Sequence, residues 1–137
     1  RSTLFPYTTL FRSYARTMEI VGNIGYVCTS LSLYKINLDT GEESGYGWIH
    51  DRLPDFEYGD RSYWPAGHRV VYHNGFLWYL VYDAGDSFII AINPETGDYE
   101  WIHKVDTYEK ADEIQFYEDK MFVSDTGGYL HIYEKED

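Results

Sequence analysis

Two stretches of this chain repeat one another, and that repetition limits the fold more than any other feature. Leu33–His50 reads LYKINLDTGEESGYGWIH and Ile89–His103 reads IIAINPETGDYEWIH. Each runs from an aliphatic segment into Ile-Asn, then Thr-Gly, and closes on Trp-Ile-His. Self-similarity at such a period marks a protein made of stacked supersecondary units. Thr40-Gly41 and Thr96-Gly97 lie 56 residues apart, and the first copy holds extra residues between Gly41 and Trp48.

Hairpin-like units also recur. Met18–Ser30 (MEIVGNIGYVCTS), Val70–Tyr82 (VVYHNGFLWYLVY) and Ile114–Asp125 (IQFYEDKMFVSD) are each two β-rich runs split by a polar turn. The turns are Gly22-Asn23, Asn74-Gly75 and Glu118-Asp119-Lys120. Asn-Gly between alternating runs is a strong hairpin signal, because both residues tolerate positive φ. Phe76–Tyr82 is apolar at every position, which suits a strand covered on both faces. In the third unit Ile114, Phe116, Phe122, Leu130 and Ile132 are expected to share one buried face. Glu109–Glu113 is the one stretch read as a helical turn. The unit is therefore strand, turn, strand, Gly/Asp turn, strand, Thr-Gly turn, strand. This predicts an all-β chain, a partial β-propeller of four-stranded antiparallel blades with about two and a half blades present. The expected blades span about 18–50, 70–105 and 114–133, with a loop insertion at 51–69.

Arg1–Ser13 (RSTLFPYTTLFRS) can be spelled in codons that reproduce a widely used short-read sequencing adapter from end to end. The segment is expected to be a non-native scar and is set aside from fold reasoning. The chain carries a formal charge of −12, and without Arg1 and Arg12 of that segment it stands at −14. Such acidity repels phosphate backbones, so neither nucleic acid nor an anionic membrane is expected as a partner. No apolar run is long enough to span a bilayer as a helix, and the lone Cys28 allows no internal disulfide.

The segment Ala91-Ile92-Asn93-Pro94-Glu95-Thr96-Gly97-Asp98-Tyr99-Glu100-Trp101 resembles the repeat of PQQ-like (pyrroloquinoline-quinone-like) β-propellers. That repeat has an aliphatic third strand, Asp or Asn, two variable positions, Thr-Gly, a short gap and Trp. Ile36–Gly41 matches its first half, Trp48 arrives late, and the third unit matches only over Tyr129–Tyr133. The resemblance implies structural roles for Thr40, Gly41, Trp48, Thr96, Gly97 and Trp101, with the tryptophans packed between blades. It also implies a periplasmic or extracellular setting. The quinone-dependent members need a catalytic aspartate, calcium ligands and commonly an adjacent-cysteine disulfide, and none of these maps onto this chain. No cofactor and no metal site is expected. His50 and His103 recur at equivalent positions and are read as structural, and the turn residues Asp83, Asp86 and Asp125 as caps of their own backbone.

The insertion is the best candidate site. Asp51–Arg69 offers aromatic and cationic side chains together, and Tyr58, Arg61, Tyr63, Trp64, His68 and Arg69 are the candidate ligand-binding residues. No catalytic residue is assigned. Two functions remain open. One is a non-enzymatic binding or scaffold module that presents loops to a protein, peptide or glycan. The other is a section of a propeller enzyme, a quinone-dependent dehydrogenase or a hydrolase or lyase, whose active residues lie in other blades. Two and a half blades do not close a ring, so the remaining blades are expected in missing sequence or through association.

Overall fold

In a computed structural model the described residues are 15–29, 32–48, 64–65, 69–83 and 85–136. They form twelve strands and, among themselves, no helix. The first sheet is a meander of β1 (Ala15–Val21), β2 (Ile24–Thr29), β3 (Ser32–Asn37) and β4 (Glu43–Trp48). The second contains β5 (Trp64–Pro65), β6 (Val71–His73), β7 (Phe76–Asp83), β8 (Asp86–Ile92) and β9 (Tyr99–Lys104). The third has β10 (Ala111–Tyr117), β11 (Lys120–Asp125) and β12 (Leu130–Glu134). Every pairing is antiparallel. The architecture is that of a partial β-propeller, with strands added in sequence order from the first strand of each sheet outward.

The repeated Asn-x-x-Thr-Gly segment folds the same way twice, almost atom for atom. Asn37 Oδ1 accepts from the Asp39 N–H at 2.9 Å and Asn93 Oδ1 from the Glu95 N–H at 3.0 Å. Gly41 N–H donates to Asn37 O and Gly97 N–H to Asn93 O, at 2.7 and 2.8 Å. The threonine hydroxyls then accept from the Glu42 and Asp98 N–H groups, each at 3.2 Å. Gly41 and Gly97 take φ of 74° and 76°, a region costly for any residue with a Cβ. Asparagine therefore opens the turn, threonine closes it, and glycine supplies the left-handed step between the third and fourth strands.

The hairpin turns separate the first strand of a sheet from the second. Asn74 and Gly75 both have positive φ, 49° and 84°, the pattern of a type I′ turn that matches strand twist. The third hairpin is one residue tighter than expected: Lys120 already belongs to β11, and Glu118 adopts φ 53°. Glu109–Glu113 is not a helical turn, because Ala111 opens β10 and pairs with Asp125. Its N–H is spoken for by the second sheet, donating to the fully buried Ser87 Oγ at 2.9 Å. Ser87→Ala would leave that buried donor unsatisfied, and a loss of about 1–3 kcal/mol is expected in urea unfolding.

The second sheet carries the core on both faces. Leu77, Tyr79 and Val81 of β7 and Phe88, Ile90 and Ile92 of β8 pack with Tyr26, Cys28 and Leu33 of the first sheet. The alternate residues Leu80 and Ile89, with partly buried Trp78 and Tyr82, pack with Ala111, Ile114, Met121 and Val123 of the third. Alternation with a period of two thus divides one apolar strand between two seams. The first strands are also tied together, since Val70 N–H donates to Thr17 Oγ1 (3.2 Å) and Tyr72 N–H to Glu19 Oε1 (3.3 Å).

One expected face is split. Ile114 and Phe116 turn toward the second sheet, but Leu130 and Ile132 are 59% and 54% exposed on the opposite side. The two-residue turn pairs Ile114 with Val123 and Gln115 with Phe122. Register therefore places Met121 and Val123 beside Ile114, and Phe122 with Ile132 on the outer face.

Candidate functional site

Of the insertion residues, Tyr58, Arg61, Tyr63 and His68 lie outside the described residues, as do Arg1–Ser13 and His50. Trp64 and Pro65 form β5, which pairs with the C-terminal half of β7 through Trp64↔Tyr82 and Pro65↔Val81. β6 pairs with the N-terminal half of the same strand, from Val71↔Trp78 to His73↔Phe76. The insertion is therefore stitched to one margin of the second sheet and re-enters it at the exposed Arg69, just before the fully buried Val70. Both pairings lie at the C-terminal end of the segment, one at Trp64–Pro65 and one from Val71 onward.

A second polar constellation was legible only as a turn aspartate. Asp125, whose side chain has no exposed surface, accepts four hydrogen bonds. Gly127 and Tyr129 N–H reach Oδ1 at 3.0 Å each, while Thr107 Oγ1–H and His131 Nε2 reach Oδ2 at 2.7 and 2.9 Å. The backbone bonds close the Asp125–Tyr129 turn, and Thr107 latches the preceding loop to it. Asp125 thus caps its own backbone. Asp86 instead pairs with Lys104 at 2.9 Å, and the Asp83 side chain lies outside the described residues.

Burial pushes the Asp125 carboxyl upward, but the bonds from His131, Tyr129, Thr107 and Gly127 outweigh it, and its pKa falls from 3.8 to about 2. A value lowered in the folded state stabilises the fold above the unfolded pKa, and that stability is lost as pH falls toward 2. Between about pH 4 and 2 the native protein should therefore lose more stability on acidification than an Asp125→Asn variant. Parallel slopes in urea titrations across that window would contradict this.

The seam between the second and third sheets is lined by rings. His73 stacks on Phe116 with centroids 4.1 Å apart, and Trp78 tilts against Phe116 at 5.3 Å. Farther out, Trp101 stacks on His103 at 5.4 Å with 4° between planes, and His103 meets Tyr133 edge-on at 5.2 Å. Burial lowers the His103 pKa, which favours the neutral ring in this stack. Trp101 faces this seam but is not enclosed by it: the residue is 39% exposed. It lies on β9, the fourth strand, and among the described residues the third sheet has no fourth strand to lie over it. The Trp48 side chain lies outside the described residues. Also among the described residues, no group of three or more His, Cys, Asp or Glu side chains is placed to hold a metal ion.

No family model matches the chain, and no curated protein is similar to it. Among solved structures, it resembles a chain in the crystal structure of a mitotic checkpoint complex, with a TM-score of 0.55 and 11% identity. The match covers 96% of this chain and 41% of that one, so this chain spans less than half of its structural neighbour. It is also similar to the computationally designed Ika4 protein, at a TM-score of 0.46 and 10% identity, covering 90% of this chain and 92% of that one. At 11% identity the first likeness is one of fold alone.

Proposed function

We propose that the chain is a section of a PQQ-like propeller acting as a non-enzymatic binding or scaffold module, which presents loops to a protein, peptide or glycan. The observation that carries this reading is the anchoring of the 51–69 insertion by β5 on β7, beside the first strand of the blade. A segment rich in Tyr, Trp and Arg, held near its C-terminal end by a rigid sheet, has the composition of a recognition surface. The doubled Asn-x-x-Thr-Gly turn supports the family assignment, because its hydrogen bonds recur in both copies. The Asp125–His131–Thr107 set contributes a turn latch, with every donor directed at a carboxylate rather than at an open position.

Screening the full chain against a printed glycan array and a random-peptide library tests the reading. A selected ligand should lose about tenfold or more in affinity to Arg61→Ala or Tyr63→Ala while the unfolding midpoint stays in place. Binding that ignores both substitutions would contradict it.

A further inference from the structure

We draw no further inference here: the strongest candidate, the exposed apolar row of Leu130 and Ile132 on the outer face of the third sheet, carries nothing, because nothing in the structure shows what covers it.

Discussion

Phe88→Ala is expected to remove about 3–5 kcal/mol of stability, the usual cost of emptying a fully buried aromatic site. Phe88 has no exposed surface and sits on β8 in the core that joins the first sheet to the second. Its neighbours cannot collapse easily into the space. Tyr79, Ile90 and Ile92 are fixed by ladder pairing, and the Tyr79 and Tyr99 hydroxyls already hold each other at 3.3 Å. Urea unfolding followed by tryptophan fluorescence reads the loss. Trp101→Ala should cost clearly less despite the larger side chain, because Trp101 is 39% exposed. Equal costs would show that the first seam is loosely packed.

The second large effect belongs to the other seam. Ile114 is fully buried among Leu80, Ile89, Val105 and Val123, and Ile114→Ala is expected to cost about 2–5 kcal/mol. The two substitutions should differ in where the protein loosens. Each sheet in a stacked array gains stability mainly from its nearest neighbours. Among the described residues the third sheet has one partner, whereas the second has two. Ile114→Ala should therefore raise amide hydrogen exchange in β10–β12 well before β2, β3 and β8 are affected, while Phe88→Ala should expose β1–β4 first. Uniform loss of protection in both variants would mean that the arc unfolds as a single unit.

Much of this fold was legible from local chemistry. Asn74-Gly75 announced its hairpin, because few other pairs adopt two positive φ values at so little cost. The paired Ile-Asn and Thr-Gly signatures located the turn from third to fourth strand, and the unbroken apolar run of Phe76–Tyr82 announced a strand between two sheets. What stayed hidden depends on register and on neighbours. Phe122, Leu130 and Ile132 have the composition of core residues, yet a two-residue turn after Tyr117 sends them to the outer face. Trp101 carries the repeat's tryptophan, but among the described residues the adjacent sheet has no fourth strand to lie over it. Asp125 read as an ordinary turn cap. Its bonds to Thr107 and His131 join residues 18 and 6 positions away, beyond any local pattern. For the insertion, the aromatic and cationic composition marked the segment, and the pairing of Trp64 with Tyr82 is a long-range contact that no short motif signals.

Methyl-to-methyl and methyl-to-aromatic nuclear Overhauser effects on the full chain test most directly the account of three sheets stacked in order. Cross-peaks are expected linking Leu33 with the Phe88, Ile90 and Ile92 row, and others linking Ile114 and Val123 with Leu80 and Ile89. None is expected between Leu33 and either Ile114 or Val123, because the second sheet stands between them. Cross-peaks joining Leu33 directly to Ile114 or Val123 would place the first and third sheets face to face, and the propeller arc would be contradicted.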